Sequence, residues 1–512
     1  MSCRIAMKHE LLAILTPHGQ EHLLAFWDQL DPRQRESLAA QIRAIDFDLV
    51  RRLYEQRERQ GNFRQVADRA GPPPAFRLDA SQNRFTPEQA RARGNQAAAD
   101  GELGVILVAG GQGTRLGFDH PKGVFPIGPV SGKTLFQIHV EKIVAKARRH
   151  CTPHAPRAAC DGAGVAPPAP SARGACGVRS APSARGACGV HSDDVRIPLY
   201  LMTSPATHDE TVAFFAEHDR FGLAEEDLRV FCQGTMPAVD AATGRVLLES
   251  PGRIATSPDG HGGMLVALVR SGALSDIERR GTRHLFYFQV DNPLVDICGS
   301  EFVGYHLLSG AEFSSQVIAK RDPLQRVGNV VEVDGRLMVI EYSDLPDDAA
   351  ARRNPDGSLA IWAGSIAVHV MDAALLRRLS VAADALPFHV ARKKVACLDS
   401  SGNRIEPREP NAIKFERFIF DLMPSARNAI VVEVDPQRAF APLKNASGAK
   451  EDTPESVRAQ LSALHREWLR QAGAEVSDDA PVEISPLFAL DAAELAAHLP
   501  PGTRITKPTY FG

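Results

Sequence analysis

Between Gly104 and Val290 the chain alternates short apolar runs with helix-patterned stretches. The apolar runs are Val105–Val108, Ile197–Met202, Leu228–Cys232 and His284–Val290, each too short for a buried helix. Stretches with helical spacing, such as Leu135–Arg149 and Asp209–His218, lie between them. This order predicts an α/β fold: a doubly wound, mostly parallel, Rossmann-like sheet. Ligands of such sheets collect beyond the carboxyl ends of the strands. The residues that follow each apolar run are therefore the first place to look for chemistry. Further strands are expected beyond residue 313, including Asn329–Val333 and Leu337–Tyr342, joined by the hairpin signal Asp334-Gly335.

The flanks read differently. Residues 1–100 form a helical region, in which Leu23, Leu24, Phe26, Trp27 and Leu30 fall on one helical stripe. Asp31-Pro32-Arg33-Gln34 then starts a helix with an N-cap, a first-turn proline and a capping box. The run Gly71–Pro74 closes this part. Residues 101–446 carry the α/β unit. Residues 447–512 make a C-terminal helix, opened at Thr453-Pro454-Glu455 and stopped by Gly473, and a small β-containing tail. The stretch at about 150–193 breaks the pattern. Residues 151–192 hold no Ile, Leu, Met or aromatic residue, and APSARGACGVRS at 169–180 recurs as APSARGACGVHS at 181–192. With so little apolar surface to offset its ordering entropy, it reads as a disordered insertion.

Composition narrows the functional classes. With 59 basic and 62 acidic residues the net charge is −3, which argues against a polybasic nucleic-acid or membrane surface. No apolar run approaches the ~18 residues of a membrane span, and His9 and Glu10 interrupt the place where a signal peptide needs apolar residues. The 8 cysteines contain no C-x-x-C pair, and four of them, Cys151, Cys160, Cys176 and Cys188, sit in the biased segment. That pattern fits a reducing, cytoplasmic compartment rather than a disulfide framework or a zinc motif. No obligate protein partner is implied.

The strongest local signal is Leu107-Val-Ala-Gly-Gly-Gln-Gly-Thr-Arg-Leu-Gly117, followed by Pro121-Lys122-Gly123. It allows three readings. As a loose dinucleotide fingerprint it wants an acidic residue about 20 positions on, where the chain has Val130-Ser-Gly-Lys133 instead. Such a site would make an NADP-linked oxidoreductase. Gly128-Pro-Val-Ser-Gly-Lys-Thr134 is one residue short of a P-loop. In the third reading the glycines let backbone N–H groups approach nucleotide phosphates, while Arg115 and Lys122 neutralise their charge.

At this point the sequence resembles a known family. L-x-A-G-G-x-G-T-R-L-G with P-K-G is similar to the signature of the eukaryotic-type UDP-sugar pyrophosphorylases, above all their UDP-N-acetylhexosamine branch. Ordered stretches agree along residues 10–475, the insertion excepted: Gln233-Gly-Thr-Met-Pro-Ala238, Ser257–Gly263, Val290-Asp-Asn292, Val327-Gly328, Val339–Ser343, Ala363–Ala367, Asn411–Glu416 and Pro442–Ala446. The resemblance implies UTP and a sugar 1-phosphate as substrates, GlcNAc 1-phosphate or a simple hexose phosphate such as glucose 1-phosphate, with Mg²⁺ as cofactor. A non-catalytic UDP-sugar sensor on the same fold is the remaining alternative.

The same resemblance implies the site. Val108, Ala109, Gly110 and Gly111 would contact UTP, with Arg115 and Lys122 on its phosphates. Gln233 and Gly260 would read uracil, and Asp291 would hold Mg²⁺ beside the nucleotide. Lys414 would lie on the bridging phosphates and Lys444 on the sugar phosphate. Gly328, Glu341, His261 and Ser365 would face the sugar. Two positions depart from the acetylhexosamine branch, which has P-D-G-N-G-G where this chain has His261 and N-A-G-N-I-A where it has Ser365. Both family asparagines are expected on the amino sugar, so these departures predict relaxed sugar selectivity.

Overall fold

A computed structural model describes residues 2–57, 63–150, 195–381 and 386–512. The expected insertion at 151–192, with its four cysteines, lies outside the described residues. The centre is a 10-stranded sheet. In chain order its strands are β1 (Ala75–Phe76), β2 (Leu103–Val108), β3 (Leu199–Thr203), β4 (Leu228–Cys232), β5 (His284–Gln289), β6 (Phe313–Ala319), β7 (Gly328–Val333), β8 (Arg336–Ile340), β9 (Ala363–Asp372) and β10 (Ala429–Glu433). Across the sheet they run β1-β10-β6-β9-β5-β2-β3-β4, with β7 paired to β9 and β8 paired to β7. All neighbours along this path are parallel except β9, which is antiparallel to both β5 and β6. That one reversal brings the amino end of β9, with Ser365, to the edge where β2 and β5 end.

Both faces are covered, because alternate residues of each strand point to opposite sides. On one face Val105, Leu107, Leu199, Leu201, Phe286 and Phe288 form a buried cluster with the helices Leu135–His150 and Pro454–Gln471. On the other, Ile106, Tyr200, Met202, Leu285 and Tyr287 pack with the helices Met264–Arg270 and Ala273–Arg279. The hairpin between β7 and β8 turns as expected, with Asp334 at φ 50° and Gly335 at φ 75°.

The first three N-terminal helices, Ser2–Leu15, Pro32–Ala44 and Phe47–Glu55, sit away from this sheet, whereas Pro87–Ala99 packs on it through Ala90 and Ala97. Leu11, Trp27, Leu38 and Phe47 form a buried cluster with Val239, Leu248, Ile413 and Phe415, so they support a small sheet made by Val239–Asp240, His389–Lys393 and Ala412–Glu416. The capping box at Asp31 forms, with Gln34 N–H donating to Asp31 Oδ1 at 2.9 Å. The stripe at 23–30 is buried as expected but is not one helix. It folds as two 3₁₀ turns, Glu21–Leu24 and Trp27–Gln29. Gln20 and His22 explain the break. Gln20 Oε1 accepts from Val246 N–H at 2.9 Å, and the His22 ring bonds the Val246 carbonyl at 2.7 Å. Tertiary hydrogen bonds thus outcompete a weak local helix preference.

The C-terminal helix begins at a capping box on Thr453 and is followed by Gly473 at φ 90°. The tail packs against it through Leu469, Val482, Ile484 and Leu495. Its Glu483, 3% exposed, takes hydrogen bonds from the backbone N–H groups of Val130 and Ser131 at 2.8 and 2.6 Å and from the Ser131 hydroxyl at 2.5 Å. The near-P-loop is therefore a nest already filled by a carboxylate of the same chain. Lys133 is equally committed, donating to Glu141 at 2.7 and 2.6 Å. This closes the P-loop reading.

Candidate active site

The loop after β2 doubles back on itself. Lys122 N–H donates to the Gly111 carbonyl and Gly113 N–H to the His120 carbonyl, at 3.0 and 2.9 Å. That fold carries Arg115, exposed in a short 3₁₀ turn, and the half-buried Lys122 to the lip of one cleft. Gln233, just past β4, reaches over the loop. Its Nε2 lies 2.6 Å from where a Cβ on Gly110 would stand, so a side chain there would push the Gln233 amide off the loop. Gly260 is constrained twice: its φ of 84° is left-handed, and a Cβ would lie 2.4 Å from the Arg417 carbonyl oxygen. The backbone bonds Gly262 N–H to Arg417 O and Arg417 N–H to Asp259 O, both 2.8 Å, bind this loop to the strand that carries Lys414.

Two cavities result, and they share Gln289 and Asp291. One is lined by Val108, Gly110, Gly111, Arg115, Lys122, Gln233, Gly260, His261, Lys414 and Phe418, among others. The second, beside it, holds Arg326, Gly328, Glu341, Tyr342, Ser365 and Lys444. The structure thus sorts the expected nucleotide residues into one half and most of the sugar residues into the other. Ala109 lines neither; it is 1% exposed, in the core beneath the loop.

His261 departs from its expected place. It lines the nucleotide half and is absent from the cavity of Glu341 and Ser365. Its ring stacks on Phe418 with centroids 5.3 Å apart, and its Nδ1 accepts from Ile419 N–H at 3.2 Å. Desolvation of the ring, with His389 nearby, pushes its pKa down to about 4, so it is neutral. Its stacking on Phe418 holds the ring on the side of Gln233 and Lys414 rather than beside Ser365.

The backbone around Asp291 is held from several sides. Leu443 N–H donates to its carbonyl at 2.8 Å, and the Asn292 amide bridges Ala439 O and Ala441 N–H at 2.8 and 3.1 Å. Below, His139 bonds the Val290 carbonyl at 2.9 Å. Lys142 donates to Pro293 O and Val295 O at 2.6 and 2.9 Å. The carboxylate itself lies 3.7 Å from Lys122 Nζ and is close enough to Asp452 to help burial raise that pKa. An all-oxygen corner of this kind suits a hard divalent cation that keeps waters and takes phosphate oxygens for its remaining ligands.

The cations carry the electrostatic message. Arg115, Lys414 and Lys444 line the cavities; among the described residues Arg115 and Lys414 have no ion-pair contact to a carboxylate, Lys444 lies near enough to Asp452 to lower its pKa, and Lys122 makes a long contact to Asp291 and donates to the Leu443 carbonyl. Opposite them Glu341 is desolvated, and burial, aided by Asp344, pushes its pKa up to about 7. Sequence reading missed Gln289, Arg326, Tyr342 and Asp452. Gln289 is the end of an apolar strand run, and a polar residue there was an available signal. Arg326 and Asp452 reach the site only through the fold and had none.

Phosphates, not a nicotinamide, are what such a cleft can neutralise, and the class it defines is that of the nucleotidyltransferases. The chain belongs to the UTP–glucose-1-phosphate uridylyltransferase (UDPGP) family, which it matches over residues 189–488. It is 35% identical over 472 residues to the "UDP-N-acetylhexosamine pyrophosphorylase-like protein 1" of Xenopus tropicalis, covering 90% of this chain and 84% of that protein. It is 36% identical over 396 residues to the UDP-N-acetylglucosamine pyrophosphorylase of Saccharomyces cerevisiae, covering 77% and 75%. The solved uridine diphosphate N-acetylglucosamine pyrophosphorylase of Trypanosoma brucei superposes with a TM-score of 0.76 at 25% identity, covering 98% of each chain. The chain is accordingly an enzyme, a uridylyltransferase that makes a UDP-sugar from UTP and a sugar 1-phosphate. The oxidoreductase reading of the glycine loop falls with this. Among the described residues no helix is long and apolar enough to cross a membrane.

Proposed function

We propose that UTP lies in the half lined by Gly110, Gly111, Gln233 and Gly260, and that the sugar 1-phosphate lies beside Glu341, Ser365 and Lys444, the two meeting at Asp291. The observation that carries this is the row of cations, Arg115, Lys122, Lys414 and Lys444, that lines the two halves, with no close ion pair at any of them among the described residues. A sugar-phosphate oxygen attacks the α-phosphorus in line and pyrophosphate leaves, with no covalent enzyme intermediate. Positioning and charge neutralisation then dominate the rate. Arg115 and Lys122 take up charge that grows on the leaving pyrophosphate. Lys414 lies along the bridging phosphates and Lys444 holds the sugar phosphate. The Gln233 amide, with one donor and one acceptor side, matches the uracil edge.

Asp291, with Asp452 near it, would hold Mg²⁺, which when bound would withdraw charge from the phosphates. The sugar is the least specified part. Ser365 is short and neutral, so the site reads an N-acetyl group with few hydrogen bonds. We assign relaxed selectivity, with glucose 1-phosphate or another simple hexose phosphate used comparably to GlcNAc 1-phosphate. The cytoplasm is our assigned compartment, supported by the free thiols at Cys232, Cys298 and Cys397. Pyrophosphate release from UTP and Mg²⁺ across a panel of sugar 1-phosphates tests the reading. Release with several hexose phosphates is expected; silence with all of them, or a preference for GlcNAc 1-phosphate beyond about a thousandfold, would overturn it.

A further inference from the structure

The amino edge of the sheet, opposite the cleft, holds a second convergence of chemistry-bearing side chains. His284 is the first residue of β5, His306 lies on the helix Ser300–Leu308, and Asp372 is the last residue of β9. His284 Nδ1 lies 2.7 Å and His306 Nε2 3.0 Å from the same oxygen, Asp372 Oδ1. Elsewhere His120–Glu210 and His389–Asp421 are simple one-to-one pairs. Among the described residues, this is the one group of three His, Cys, Asp or Glu side chains whose ligand atoms all lie within 4.8 Å of one another. The site is about 20 Å from Asp291, the length of β5 at ~3.3 Å per residue.

We propose that His284, His306 and Asp372 bind a divalent transition-metal ion of the zinc class. Two imidazole nitrogens and one carboxylate oxygen suit a borderline ion of this kind, whereas Mg²⁺ prefers oxygen alone. The surroundings fit as well. His306 is fully buried, and its other nitrogen, Nδ1, lies 2.7 Å from the buried Ser314 hydroxyl. With a metal on Nε2, that nitrogen carries the proton and donates to Ser314, the outer contact that orients a histidine ligand. His284 and Asp372 keep 13% and 25% of their side chains exposed, which gives an entry path and a place for a water as fourth ligand. Without an ion, the same three groups form a hydrogen-bonded link; insertion replaces the two N–H···O contacts with coordinate bonds, and both neutral imidazoles shift to their other tautomer, the proton moving to Nε2 of His284 and Nδ1 of His306.

The site joins three elements far apart in the chain, so the ion would act as a clamp on β5 and β9. The test uses the whole chain, stripped with a chelator and titrated with Co²⁺ and then Zn²⁺. Expected are a single equivalent of Co²⁺ with visible ligand-field bands and no near-ultraviolet thiolate band, its displacement by Zn²⁺ but not by Mg²⁺, and a raised Tm with Zn²⁺. His284→Gln and Asp372→Asn, both at partly exposed positions, should each weaken Co²⁺ binding at least about 10-fold. No saturable binding to the parent chain, a thiolate band, or unchanged binding in either variant that folds would overturn the proposal and leave a hydrogen-bonded link. Mg²⁺-dependent turnover, a separate readout, reports on the uridylyl-transfer reading alone.

Discussion

Lys122 Nζ lies 3.7 Å from Asp291 Oδ2 and 3.2 Å from the Leu443 carbonyl oxygen. A cation from the loop after β2 and an anion from the end of β5 thus meet at the seam between the two cavities. Neither is fixed tightly; their side chains are 19% and 15% exposed, and the ion pair is long. A pair of this kind adds little stability. Each member is free to exchange its partner for a phosphate or a divalent cation.

Replacing Lys122 or Arg115 by Ala should lower turnover by ~10²–10³-fold, the usual loss for one contact to charge that develops in the transition state. The melting temperature should change little, since Arg115 is exposed and Lys122 has no tight ion pair. Steady-state rates at saturating UTP and Mg²⁺, alongside thermal unfolding, check both halves. Activity within a few-fold of the parent would remove the phosphate role.

Asp291→Asn keeps the shape and removes the charge. Slower turnover and a higher Mg²⁺ requirement are expected, because a neutral amide is a poorer ligand for a hard cation. A Mg²⁺ titration of initial rate in parent and variant decides it. Identical Mg²⁺ dependence would reduce Asp291 to a loop anchor.

Glu341 gives a pH signature. Its folded pKa, about 7, lies above the usual 4.5. The unfolded chain therefore ionises first, and this group lowers stability as pH rises from about 4.5 to about 7. Glu341→Gln should remove that loss. For binding the sign is opposite: above about 7 the carboxylate is the better acceptor for sugar hydroxyls, so the KM for sugar 1-phosphate should fall through that range. Comparing KM–pH profiles of parent and Gln variant separates Glu341 from the phosphate's own titration. Parallel profiles would exclude it from the sugar site.

Ser365→Asn restores an amide at the sugar half. With a neutral hydrogen bond worth ~0.5–1.5 kcal/mol, the ratio of GlcNAc 1-phosphate to glucose 1-phosphate use should rise about 2–10-fold. His261→Asn should leave that ratio nearly unchanged and instead alter UTP binding, because its ring belongs to the nucleotide half. The reverse pattern in competition assays would put His261 back at the sugar.

Glu483→Ala empties the nest at Val130 and Ser131. Two backbone N–H groups and a hydroxyl lose their acceptor, and leaving buried donors unpaired costs about 1–3 kcal/mol each at most. Denaturant unfolding should show a clear loss of stability, with KM for UTP unchanged. A change in UTP binding without loss of stability would instead make the nest part of the nucleotide site.

Much of this was legible in the sequence because it rests on local rules. Alternation of apolar runs gave β2 to β5 to within two residues at each end. Capping residues gave the starts at Pro32 and Pro454, and Asp334-Gly335 gave the hairpin. The glycine loop and its cations were visible because phosphate binding needs those residue types close together in the chain. What failed did so through long-range contacts. The stripe at 23–30 lost its helix to hydrogen bonds from Gln20 and His22, more than 220 positions from their partner Val246. Gly128–Thr134 lost its anion site to Glu483, and His261 was drawn to the nucleotide half by Phe418. Residue type and spacing fix which side chains can do chemistry, since they depend only on neighbours along the chain. Which of them share a cavity depends on the reversed strand β9, on the tail and on closure of loops hundreds of residues long, and only the tertiary structure decides that.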